Sequence, residues 1–140
     1  MNSNLIFFPV IVQIFLTLFL YILLTLRKIR ALKSGSVNES RRGLFDDAWP
    51  IEVIAVNNCI RNQFEVPVLF YVLCMLLFML NAVSVLSLSV ACLFVLSRVV
   101  HAYIHTGSND VPVRRRVFMI STVLVLIMSV LVTSAIFSLV

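Results

Sequence analysis

Asn58, Asn62 and Glu65 follow one another at intervals of four and three residues, so on a helix they share one face, and Arg61 stands four residues ahead of Glu65 where the two could pair. Arg98, His101 and His105 form a second stripe of the same kind, and Arg114, Arg115 and Arg116 follow closely behind. A set of Arg, Asn and His side chains with a single Glu carries net positive charge and many hydrogen-bond donors. Guanidinium forks grip carboxylates in bidentate fashion, while Glu65 suits an ammonium group. The chemistry expected is therefore recognition of an anionic, carboxylate-bearing small molecule, in a pocket whose open side toward lipid admits an apolar co-substrate. No metal is expected, because Cys59, Cys74 and Cys92 lack metal-ligand spacing and read as small apolar residues.

The elements that must position these groups are membrane helices. With 61% hydrophobic and only 12% charged residues, a chain of 140 residues is too small to hide its apolar surface inside a soluble domain. Residues 1–26, 66–97 and 117–140 contain no Lys, Arg, Asp or Glu. A hydrocarbon layer of about 30 Å takes roughly 20 helical residues. The first and last runs each hold one such helix, and the middle run divides at Asn81-Ala82. One domain over 1–140 is expected, with helices at about 5–32, 48–80, 83–105 and 112–139. Short connections make this an all-α, up-down-up-down bundle of four transmembrane helices.

Asp46 and Asp47 are expected to cap the second helix with Pro50 in its first turn, and Pro67 to kink it. Arg27, Lys28, Arg30, Lys33, Arg41 and Arg42 lie between helices one and two, and Arg98 and the arginine triplet lie around the loop between three and four. The positive-inside rule puts both basic loops in the cytosol and both termini on the opposite side. The net charge of +5 follows from that rule, so nucleic acid is not an expected partner. The first run lacks a basic leader and a small-residue cleavage site, and reads as a retained helix.

The same residues have structural uses. Arg98 and the arginine triplet fit headgroup anchors that snorkel to the interface, Arg61 and Glu65 fit a plain ion pair, and His101 and His105 fit helix-contact residues. Against these uses stands the cost of placing such side chains at the bilayer edge, roughly 1–3 kcal/mol each unless paired or hydrated, which favours a shared cavity.

The run Asn58-Cys-Ile-Arg61-Asn62-Gln-Phe-Glu65-Val-Pro67, followed by Arg98-Val-Val-His101, His105 and Pro112-Val-Arg114, resembles in order and spacing the helix-two, helix-three and helix-four motifs of the MAPEG family, membrane-associated proteins in eicosanoid and glutathione metabolism. The likeness extends over the whole chain and is greatest to uncharacterised bacterial members, whose home is the inner membrane. It implies a homotrimer that binds glutathione between neighbouring subunits. Position by position, Arg61, Asn62 and Glu65 match helix-two glutathione contacts, and His101 matches a helix-three contact. Arg27 resembles a helix-one arginine offered by the neighbour, and Arg114 the arginine that stabilises the glutathione thiolate. Arg98 and His105 join the ligand set by sharing the His101 stripe. Two positions depart from the pattern: His105 stands where several family enzymes have Tyr, and Asn58 where the eukaryotic synthases have Arg.

The function implied is a glutathione-dependent transferase or peroxidase acting on lipophilic electrophiles or hydroperoxides. The alternative is a non-catalytic membrane subunit or ligand-binding protein of the same fold. A small multidrug exporter is disfavoured, because the first helix has no acid in its span to couple to protons.

Overall fold

The charge-free runs are helical, as burial of backbone polar groups in lipid demands. The computed structural model describes residues 2–138, and its regular elements are all helices. They are α1 (Phe7–Lys33), α2 (Ile51–Arg61), α3 (Val66–Met79), α4 (Val85–Thr106) and α5 (Val111–Phe137), with short 3-10 turns at Ser3–Ile6, Asp46–Ala48 and Asn62–Phe64. Four stretches are long and apolar enough to cross a membrane: Ser3–Lys33, Ile51–Met79, Val85–Thr106 and Val111–Phe137. The protein is an integral membrane protein, and apolar side chains such as Phe15, Phe19, Ile22, Leu126 and Val130 lie exposed on the outer surface of the bundle. The end expected for the last helix, at 139, lies outside the described residues.

Local chemistry sets the helix ends. Arg30 and Lys33 close α1 where the helix dipole favours cations. Gly35 then takes φ +67°, a left-handed turn that lets the Ser36 N–H reach the Ala31 carbonyl at 3.2 Å and the Gly35 N–H the Leu32 carbonyl at 3.2 Å. Ser84 and Ser87 exchange side-chain and backbone hydrogen bonds in a capping box, so α4 opens at Val85 rather than at 83. The Asp110 side chain accepts from the Val113 N–H at 3.0 Å and Pro112 occupies the first turn of α5.

The second span departs from expectation. Asp46 and Asp47 sit in their own 3-10 turn, and Pro50 occupies the position preceding α2. The helix expected over 48–80 is two helices joined at Asn62–Glu65, with Glu65 at φ −102° and ψ −103°. Pro67, in the first turn of α3, has no N–H to give, so the interruption is a full break rather than a bend.

Two groups of buried residues hold the bundle. Phe70 stacks on Phe94 at 4.4 Å, packed with Ile6, Leu77 and Met128, between α3, α4 and α5. Nearer the basic end, Leu20, Leu24, Val56, Cys59 and Ala102 join α1, α2 and α4. Ser97 and Ser121 hydrogen-bond across α4 and α5 at 2.8 Å.

The linker after α1 is folded, not free. Arg41 pairs with Asp47 at 3.0 Å, the Trp49 indole donates to the Arg42 carbonyl at 3.3 Å, and the Lys28 ammonium lies 4.8 Å from the centre of the Trp49 ring. Arg27 fastens three helices at this end. One terminal nitrogen donates to the Glu52 carbonyl at 2.8 Å and the other to the Thr106 carbonyl at 2.7 Å. Arg27→Ala is therefore expected to destabilise the protein by about 2–4 kcal/mol, since two hydrogen bonds to a charged donor are lost. Arg27→Lys recovers little, because one ammonium lacks the rigid fork that spans two carbonyls. Thermal denaturation in detergent reads both. A loss under about 0.5 kcal/mol for Arg27→Ala would show that the clamp contributes nothing.

Candidate functional site

Arg98 is the most unusual residue in the chain: a guanidinium on α4, crossing the bilayer, with no solvent exposure at all. One terminal nitrogen donates to the Asn62 carbonyl at 3.1 Å. That carbonyl stands at the break in the second span, so α4 supplies a side-chain donor to backbone released by the break. The remaining Nε and Nη1 find no hydrogen-bond partner among the described residues, and no carboxylate pairs with the cation there. The guanidinium carbon lies 5.8 Å from the centre of the Phe118 ring.

One and two turns along α4 come His101 and His105, both buried, with ring centres 5.5 Å apart in an edge-to-face arrangement. Among the described residues, neither ring nitrogen of His101 and not Nδ1 of His105 has a hydrogen-bond partner. The Phe118 ring packs 5.8 Å from His101. A cavity of about 280 Å³ opens beside them, lined by Asn62, His101, Val111, Arg114, Arg115 and Phe118.

Arg114 enters this cavity from the first turns of α5, half-buried, with one terminal nitrogen donating to Asn109 Oδ1 at 2.5 Å. Asn109 reaches it from a left-handed backbone, φ +52°, closed by its N–H onto the Ile104 carbonyl at 2.8 Å. Gly107 permits the tight turn, since a Cβ there would lie 2.8 Å from the Tyr103 carbonyl oxygen. Arg115 borders the cavity from an exposed position, and Arg116 is exposed.

The helix-two stripe divides at the break. Asn62 faces the cavity, but Asn58, Arg61 and Glu65 lie on the exposed outer face. The Arg61–Glu65 pair expected along one helix does not form. Arg61 instead makes an ion pair with Asp46 and a 3.4 Å hydrogen bond to Asn58, and Glu65 has no ion-pair partner among the described residues. The cause is backbone: the non-helical ψ of Glu65 turns it out of the α2 register. Arg27 stands apart from the cavity, at the mouth of a separate hollow of about 490 Å³ that also touches Arg30, Ser34 and Glu52. Both its terminal nitrogens are already engaged by carbonyls of its own chain.

Residue patterns missed four further participants. Phe118 lies four residues after Arg114 on one helix face, a signal that was present. Asn109 is visible only as a turn residue. Gln13 and Gln63, both buried, are hydrogen-bonded to each other at 2.8 Å between α1 and the break.

The arrangement is a buried cation with two unused donor groups, flanked by two imidazoles and a second cation at the mouth of a cavity. In a low dielectric, such donors are strongly favoured by a ligand carboxylate and costly without one. The cavity is lined by Asn62, His101, Arg114 and Arg115 but not by Arg98 or His105, and its donors suit a carboxylate-bearing ligand. Among known proteins, the sequence model of the MAPEG family matches residues 6–134. No curated protein and no solved structure matches the chain.

Proposed function

The chain belongs to the MAPEG family, and on that premise we propose that it is a glutathione-dependent membrane transferase or peroxidase acting on lipophilic electrophiles or hydroperoxides. The observation that carries this reading is the buried Arg98, whose Nε and Nη1 find no partner among the described residues, beside His101 and His105. A glutathione carboxylate reaching that interior would meet a charged hydrogen-bond donor and satisfy the cation. Bound there, glutathione supplies the thiolate that attacks the lipophilic partner. Arg114, at the cavity mouth, holds the negative charge on sulfur and keeps the thiol ionised. Asn62 and His101 orient the peptide, and Phe118 closes the apolar wall.

The outward residues fit a homotrimer in which the ligand lies between subunits. Glu65 is an exposed carboxylate with no ion-pair partner among the described residues, on a membrane-crossing span where it is costly against lipid. A neighbouring copy that covers Asn58, Arg61 and Glu65 removes the cost and adds an ammonium-binding acid to the site. The hollow beside Arg27 leaves Arg30 as the helix-one arginine free to reach across, since Arg27 is engaged by carbonyls of its own chain. The basic linkers support a cytosolic orientation for this end, which fits an up-down-up-down bundle with both termini opposite, in a bacterial inner membrane.

Purified trimer in detergent is expected to bind glutathione with micromolar to millimolar affinity by calorimetry. Arg61→Ala and Glu65→Ala are each expected to weaken it about tenfold, the loss of one charged contact. Equal affinity in both variants would remove the outer face from the site.

A second reading is a non-catalytic binding subunit. Its support is the Asn109 side chain, which occupies one Arg114 nitrogen and leaves less of that cation for sulfur. Glutathione bound without thiolate absorbance, and without turnover on activated aryl halides, would favour it.

A further inference from the structure

Gln13 is the only strongly polar side chain between Asn4 and Arg27, apart from the hydroxyls of Thr17, Tyr21 and Thr25, and it is wholly buried in a span that faces lipid. Its Nε2 donates to Gln63 Oε1 at 2.8 Å, and Gln63 Nε2 donates in turn to the Cys59 carbonyl at 3.1 Å. Gln63 belongs to the 3-10 turn at the break, and Cys59 to the last turn of α2. The Gln13 Oε1 has no partner among the described residues. A Leu at each position would fill similar space but would give up the hydrogen bond to the Cys59 carbonyl.

The break is thus gripped from two sides. Arg98 of α4 takes the Asn62 carbonyl, and Gln13 of α1 takes the Gln63 side chain. Adjacent residues of one turn are tied to two different helices. Pro67 prevents an ordinary helix from forming through the turn but does not fix where the turn points. The two ties meet the turn where Asn62 lines the cavity while Arg61 and Glu65 lie exposed on the other side.

We propose that Gln13, acting through Gln63, is a positioning residue that fixes the break in the second span and with it the aim of Asn62, Arg61 and Glu65. Its consequence for glutathione rests on the function proposed above, whereas the geometry of the break does not.

Two variants separate positioning from simple stability. Gln13→Leu strands the buried Gln63 oxygen, lowering the melting temperature and loosening the turn. Gln13→Leu with Gln63→Leu replaces both partners by apolar groups of similar size, which restores most of the stability. Amide hydrogen exchange of intact protein in detergent reads local opening at residues 62–68. Exchange there is expected to rise about tenfold in the single variant, the equilibrium effect of one stranded buried acceptor. It is expected to stay raised in the double variant although the melting temperature recovers. Glutathione affinity should fall about tenfold in both, as for loss of one aligned contact. Wild-type exchange at 62–68 in the single variant would overturn the proposal, and so would exchange that recovers in step with the melting temperature in the double variant. Failure of the wild-type protein to bind glutathione would count against the proposed function alone, because the exchange measurement still decides the role of Gln13.

Discussion

Arg98→Met is expected to raise the melting temperature of the ligand-free protein while removing glutathione binding. The two effects follow from one fact: the side chain is fully buried and satisfied at only one of its nitrogens. A buried ion without a counterion carries a penalty of several kcal/mol after relaxation. The hydrogen bond to the Asn62 carbonyl returns about 1.5–3 kcal/mol, the value for a charged donor. The penalty wins. Methionine fills the same volume with a flexible apolar chain, so removal of the charge stabilises the fold more than loss of the bond weakens it. Binding moves the other way. Truncating one member of a buried charge pair costs about 2–5 kcal/mol, so affinity falls at least about 30-fold. Thermal scans with and without glutathione give both numbers together. Glutathione is expected to raise the wild-type melting temperature and leave Arg98→Met unmoved. A variant that melts lower and keeps the ligand shift would mean that Arg98 is a structural anchor.

That trade of stability for a prepared site marks where sequence and structure part company. The membrane spans were legible because charge is excluded from lipid whatever the detailed packing, and residues 1–26, 66–97 and 117–140 carry none. The Arg98, His101 and His105 stripe was legible for a related reason: helical period alone places the three side chains on one face. The Asn58, Asn62 and Glu65 stripe follows the same period and yet is split, because periodicity holds only while the backbone remains helical. Pro67 announces an interruption but neither the ψ of −103° at Glu65 nor the hydrogen bonds by which Arg98 and Gln13 meet the turn.

The partners of the arginines were similarly hidden. Arg61 finds Asp46, fifteen residues earlier, and Arg27 finds carbonyls of Glu52 and Thr106. Neither contact has a local spacing to betray it. Gln13 is the extreme case, a lone polar residue in an apolar run whose meaning depends on a neighbour fifty positions away.

Arg114→Ala is expected to reduce turnover on a lipophilic electrophile by about 10²–10³-fold, the loss seen when one preorganised charge-stabilising donor is removed. Binding should weaken far less. Arg98, His101 and Asn62 still hold the peptide, and Arg114 contributes mainly where charge sits on sulfur. The spectroscopic counterpart is loss of the ultraviolet thiolate band from bound glutathione, measured at one pH in wild type and variant. Arg114→Lys separates charge from geometry. It keeps a cation at the cavity mouth, so part of the thiolate band should persist, but an ammonium cannot hold Asn109 and reach sulfur with the same fixed fork. Asn109→Ala works from the other side by releasing the nitrogen now held at 2.5 Å. If Arg114 is the thiolate-stabilising group, freeing it leaves the band intact or strengthens it. An unchanged thiolate band in Arg114→Ala, with glutathione still bound, would assign the ionisation to another cation and leave Arg114 as a clamp on the turn between α4 and α5.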